Sequence, residues 1–314
     1  MKNIICVPFA FETGYNSGVN IKNNDKLDIY LKNATVALIS AKFYNPNCDV
    51  IFATNIPKND IPSKYVDIMN INNISILFIP FESYKFGFDY KWSLAFYKLC
   101  VLKKLIALGF DNCCYMDTDV YVQGTFDFIW EECKNKILLY DINHGLNVKE
   151  YKNIMKEIVE FTHNDILITH YGGEFYASNY ENAVIFEKMM YKVYLQMIES
   201  NFVTSKGDEF IVSIAAENLK GLIKNASPYI CRFWTGSSFR LVSTCYVYNP
   251  VVILHMPAEK EKGIIKIYDR YISHNKIPKK SKVWKLCRLN HVNVIERIIS
   301  WILNFKKTWR RFND

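Results

Sequence analysis

Apolar residues along the chain fall into two spacings. Short unbroken apolar runs occur at Lys2–Phe9, Asp49–Thr54, Ile74–Pro80 and Cys113–Met116, and each reads as a buried strand. Between them the spacing becomes helical. Asp25 stands where an N-cap belongs, ahead of a segment reaching about Phe43 that places Leu27, Tyr30, Leu31, Ala34 and Leu38 on one face. WSLAFYKLCVLKKLIAL, from Trp92 to Leu108, is also helical, and Gly109 follows at the C′ position. Further helices are expected over about 181–199 and 208–219, the second opening at Gly207–Asp208. Val247–Leu254 reads as a late strand ending at His255. Strands alternating with helices of this length predict an α/β fold with a mostly parallel sheet flanked by helices. In such sheets ligands bind beyond the carboxyl ends of the strands.

The segment CCYMDTDVYVQG, 113–124, lies at one of those ends. On an extended chain, residues two apart face the same way, so Asp117 and Asp119 point together. Two like charges so placed repel each other and resist burial; a divalent cation removes both problems. Mg²⁺ or Mn²⁺ takes few protein oxygens and keeps positions for phosphate oxygens, so a metal–diphosphate complex is the fitting guest. A pair of solvated turn carboxylates is the plainer reading. A calcium EF-hand loop fails, because its required Gly and Glu positions hold Val122 and Phe128. A haloacid-dehalogenase-like phosphatase also places DxD after a strand, usually the first, with Thr or Val where Tyr121 stands here.

Other segments carry chemistry of their own. In HYGGEFYASN, 170–179, Gly172–Gly173 either marks a turn or lets backbone approach a ligand closely, and Glu174 beside it can accept hydrogen bonds. Asp208–Glu209 at a helix start either complements the helix dipole or serves a site. The loop Phe9–Tyr15 and the strand end at Asn55 lie at the carboxyl ends of the first two strands, with Phe11 and Tyr15 as the loop's aromatic residues. Lys91 and Lys98, ahead of the DxD, can reach phosphates or serve the surface.

Taken together, MDTDV, the helix KWSLAFYKLCVLKKL before it, HYGGEFYASN and GDEFIVSIA resemble the GT-A class of nucleotide-sugar glycosyltransferases. Within that class they resemble the retaining family 8 and family 6 enzymes, over about residues 1–265. The resemblance implies a GT-A, Rossmann-like domain over 1–275. It also implies a metal-dependent, retaining hexosyltransferase using a nucleotide-sugar, a UDP-sugar foremost, and a glycan or lipid-linked acceptor. Asp117 and Asp119 would be metal ligands, with Asp117 also at the donor; the loop Phe9–Tyr15 and the strand end at Asn55 would flank the nucleotide base, with Tyr15, Phe11 or neither stacking on it. Asp208, Glu209 and Glu174 would meet donor and acceptor, Glu209 beneath the anomeric carbon as the carboxylates of retaining glycosidases are. Family 8 enzymes end a late strand with a metal-binding His, followed by a Gly and a Lys for the diphosphate. That maps His255 as third ligand, but the run is HMPAEKEKG: Ala258 replaces the Gly, and Glu261 holds the Lys position between Lys260 and Lys262. A lone His after a strand also serves as a satisfied capping residue.

Charge and composition alter the picture mainly at the C-terminus. Of the chain's 39 basic and 31 acidic residues, eleven basic and two acidic ones lie in 276–314, so the tail carries +9 and the rest of the chain −1, for a net of +8. VNVIERIISWILNF has one polar and one aliphatic helical face between basic flanks, the composition of an amphipathic helix on anionic lipid. That face has no use against nucleic acid, and a helix docked on the core is the plainer alternative. The expected setting is cytoplasmic, peripheral on the inner face of a membrane. No leader or membrane-spanning run is read, since the first apolar stretch soon reaches Glu12 and Gly14. Nine irregularly spaced cysteines read as reduced, buried thiols. The phosphatase, or a non-catalytic membrane-surface binding protein, are the alternative functions.

Overall fold

The computed structural model describes residues 2–12, 25–87, 90, 92–143, 149–235 and 251–289, together with Ile298 and Ile302. The first half alternates as read: β1 (Asn3–Phe9), α1 (Lys26–Tyr44), β2 (Asp49–Thr54), α2 (Ser63–Ile71), β3 (Ile74–Phe78), α3 (Tyr97–Leu108) and β4 (Asn112–Met116). There follow β5 (Val120–Val122), α4 (Asp127–Cys133), β6 (Ile137–Asp141), α5 (Lys149–Thr162), β7 (Tyr171–Asn179), α6 (Tyr180–Glu199) and α7 (Asp208–Asn218). The last described elements are β8 (Ile223–Asn225), β9 (Ile230–Arg232), β10 (Ile253–His255), α8 (Gly263–His274) and α9 (Lys280–Leu286).

Among the described residues seven strands form the central sheet in the order β3-β2-β1-β4-β7-β6-β8. All neighbours are parallel except β7, which runs antiparallel to β4 and β6. Alternate residues of the inner strands enter two separate cores. Ile5, Val7, Cys114 and Met116 join one with α1, α2, α4 and α8; Ile4, Cys6, Cys113 and Tyr115 join the other with α3, α5, α6 and α7. A strand buried on both faces needs an unbroken apolar run, which is why β1 and β4 read as they do. The eight described cysteines are buried and unpaired. Among the described residues no helix is long and apolar enough to cross a membrane.

Three local readings change. Residues 93–96 form a 3-10 turn, entered through a left-handed Trp92 (φ 68°), so α3 begins at Tyr97 rather than Trp92. The Gly172–Gly173 pair is not a turn but lies within β7, between Tyr171, which pairs with Asp141 of β6, and Phe175, which pairs with Met116 of β4. Of the late strand only 253–255 is extended among described residues; 236–250 lie outside them. At the C-terminus, α9 packs on α8, buries Val283, and Trp284 Nε1 donates to Gln123 Oε1 at 2.8 Å. The amphipathic segment beyond 289 lies outside the described residues except for Ile298 and Ile302, both exposed.

Candidate active and metal site

Strand register assembles the site. The chain leaves the central sheet at the end of β4 and enters a second sheet, ordered β5-β10-β9, at Val120. Asp117–Thr118–Asp119 is the link between the two sheets. Val120 pairs with His255, and His255 pairs in turn with Arg232. The Met256 N–H donates to the Asp119 carbonyl at 2.9 Å, and the Asp117 N–H to the Glu174 carbonyl at 3.0 Å. Residues far apart in sequence are thereby brought together where the parallel strands end.

Asp117, Asp119 and His255 offer three ligand atoms within 4.8 Å of one another. His255 Nε2 stands 3.2 Å from Asp119 Oδ2 and 3.9 Å from Asp117 Oδ2. Lys260 Nζ is 2.9 Å from the same Asp119 oxygen. Asp119 is 1% exposed, and although two positive groups approach its Oδ2, neither makes a well-directed hydrogen bond to it. A buried carboxylate oxygen left in that state fits a cation, and an O, O, N donor set suits Mn²⁺ or Mg²⁺. Burial works against ionising Asp119, but the Lys260 and His255 charges hold its carboxyl well below the ordinary range. Burial alone would lower His255; Asp119 and Glu174 outweigh it and push it up to about 9.

Around this cluster lies a second ring of charges. Lys98, on the first turn of α3, bridges Asp117 Oδ1 at 3.1 Å and Asp208 Oδ2 at 3.0 Å. Arg232 donates to both oxygens of Glu174 at 2.6 Å and reaches Glu209 Oε1 at 3.3 Å; His170 Nε2 holds the other Glu209 oxygen at 3.0 Å. The start of α7 is not capped by a side chain, so Asp208 and Glu209 serve these partners instead. Gly207 (φ 64°) enters that turn against Trp92, where a Cβ would stand 2.9 Å from the Trp92 Cβ. Burial would raise Glu209, but the His170 hydrogen bond and the Arg232 charge bring it below the usual value. Asp208 goes the other way: burial pushes it up to about 7, with Lys98 opposing and Glu209 and Asp117 adding.

The two glycines have a tighter purpose than admitting a ligand. A Cβ on Gly172 would run into Glu174 Oε2 and Arg232, and one on Gly173 into Asp208 Oδ2 and Lys98. They leave room for the site's own ion pairs.

The remaining sequence-stated residues fall as follows. Lys260 is at the cluster, its carbonyl held by the buried Asn33 Nδ2 at 3.0 Å, while Lys262 is exposed. The Asn55 side chain accepts from the Phe11 N–H at 2.9 Å and so ties down the loop after β1. Phe9 is buried beneath that loop against Tyr30 and Phe52. Tyr15 and Lys91 lie outside the described residues. Sequence reasoning did not single out Arg232, His170 or Asn33. An arginine inside the apolar run YICRFW was the available signal for the first.

The seven-stranded, mostly parallel sheet of the described residues, flanked by helices, has the GT-A glycosyltransferase fold, and the Asp-Asp-His cluster lies at its strand ends. Among solved structures, the galactosyltransferase LgtC in complex with donor and acceptor sugar analogs superposes with a TM-score of 0.53 at 14% identity, covering 91% of this chain and 99% of that one. The apo form of mouse xyloside xylosyltransferase 1 gives 0.50 at 10% identity, covering 81% of this chain and 96% of that one. At such identities the likeness is one of fold. No protein-family model matches the sequence, and no curated protein matches it.

Proposed function

We propose that this chain is a metal-dependent hexosyltransferase, moving a sugar from a nucleotide-sugar, a UDP-sugar foremost, to a glycan or lipid-linked acceptor with retention of configuration. The observation that carries the reading is the Asp117–Asp119–His255 cluster at the carboxyl ends of the sheet, with Lys98 and Lys260 beside it. Asp117, Asp119 and His255 would hold Mn²⁺ or Mg²⁺, and the ion when bound supplies charge stabilisation to a diphosphate leaving group. Lys260 adds a positive charge for the same diphosphate. The base lies along the loop that Asn55 ties down, near Phe9, Phe11 and Tyr15, and Lys91 meets phosphate.

Glu209, ionised and gripped by His170 and Arg232, faces the developing positive charge at the anomeric carbon, and Asp208 orients the sugar. The chain forms one catalytic domain over 1–275, against which α9 packs, and the basic segment 276–314 brings it to an anionic membrane surface on the cytoplasmic side, where a lipid-linked acceptor resides.

The test is an assay of a nucleotide-sugar panel with Mn²⁺ or with EDTA, offering soluble glycans or lipid-linked acceptors in anionic vesicles. Slow, Mn²⁺-dependent release of a nucleoside diphosphate, accelerated by one acceptor, is expected. Inorganic phosphate released from small phosphoesters would instead mark a phosphatase, and no turnover at all a binding protein.

A further inference from the structure

Glu174 does not stand open to a substrate. It is 1% exposed, and three close polar contacts engage its two oxygens. Oε1 receives the Arg232 Nε at 2.6 Å and lies 3.2 Å from His255 Nδ1; Oε2 receives the Arg232 Nη2 at 2.6 Å. The Gly172 backbone closes over Oε2. His255 thus has a carboxylate on each edge of its ring, Glu174 at Nδ1 and Asp119 at Nε2.

We infer that Glu174 is a positioning residue that turns the Nε2 of His255 toward Asp119 and Asp117, and that Arg232 joins it to Glu209 in one network. This rests on the metal-dependent reading above. A histidine that binds a metal through one nitrogen is commonly oriented by a carboxylate on the other, which fixes the ring and raises its basicity as a ligand. Here that carboxylate is buried, so it needs a partner charge, and Arg232 supplies it in a bidentate pair. The same guanidinium reaches Glu209 at 3.3 Å, and His170 closes the far side. The network therefore runs His255, Glu174, Arg232, Glu209, His170, across β10, β7, β9, α7 and the residue before β7. It ties the metal-side imidazole to the carboxylate assigned to the sugar, and gives Glu174 a role beside the metal in place of one at the sugar.

The experiment is direct Mn²⁺ titration, by the EPR signal of the free ion, of wild type, Glu174→Gln and the double variant Glu174→Gln/Arg232→Gln. The double variant keeps the interior charge balanced if the single one does not fold, and circular dichroism verifies folding of each. A 10- to 100-fold weaker Mn²⁺ affinity in the folded variants is expected. Wild-type affinity in either folded variant would overturn the inference while leaving the transferase reading intact. Absence of Mn²⁺ binding by the wild type would overturn the metal-dependent reading itself, and this inference with it.

Discussion

Asp208 is held in the interior with Lys98 as its positive partner and Glu209 next to it in the chain. Burial shifts its carboxyl from an ordinary 3.8 to about 7. Between those values the folded chain keeps a proton that the unfolded chain has lost, so this group's contribution to stability is full below pH 4 and is lost as pH rises to about 7, at roughly 1.4 kcal/mol per unit. Asp208→Asn removes that slope. In metal-free buffer, thermal melts of the two proteins are expected to diverge from pH 5 to 8, with the variant gaining on wild type by a few kcal/mol. Parallel pH profiles would contradict the assignment. The Asp117/Asp119 pair was legible in the sequence because like charges at a strand's end need a reason that local structure does not supply. Arg232 and the true surroundings of Glu174 were not legible. Both depend on the β9–β10 and β4–β7 register, which pairs residues tens of positions apart. The glycines of HYGGEF were legible as a close approach, but what approaches is the chain itself.

Element bounds followed the sequence wherever one spacing dominated: β2 at Asp49–Thr54, α6 to Glu199, and α3 ending before Gly109. They failed where two signals competed. Gly-Gly reads as a turn, yet β7 runs through it, pinned by the Tyr171–Asp141 pair before the glycines and the Phe175–Met116 pair after them. The C-terminal helix α9 shows how a basic segment can serve the fold. Arg288, just beyond it, pairs with the buried Glu259, which also receives Thr235 Oγ1 and the Gly263 N–H. Glu259 immediately precedes Lys260, so this contact steadies the turn that carries the site lysine. Arg288→Ala leaves a buried carboxylate short of its half-exposed positive partner, a loss of about 1–2 kcal/mol. Chemical denaturation is expected to show that loss, and Glu259→Gln/Arg288→Ala to recover part of it. An unchanged midpoint in Arg288→Ala would mean that Glu259 is satisfied without it.

On the scale of the whole molecule, the alternating pattern specified a parallel α/β sheet and placed the DxD at its carboxyl edge. It did not specify the second sheet, β5-β10-β9, whose three-residue strands are too short to leave a periodic signal. That small sheet carries His255 and Arg232 to the Asp pair, so the site exists only at the junction of the two sheets. A ligand specific to the folded state raises apparent stability by mass action, which makes the junction testable without knowing the sugar. The direct measurement is the melting temperature of wild type and Asp119→Asn with UDP, in the presence and absence of Mn²⁺. Wild type is expected to gain stability from UDP when Mn²⁺ is present, and Asp119→Asn to lose the Mn²⁺-dependent part of that gain. Equal Mn²⁺-dependent shifts in both proteins, or a wild-type response to UDP that ignores Mn²⁺, would contradict a cation at this junction as the holder of the donor.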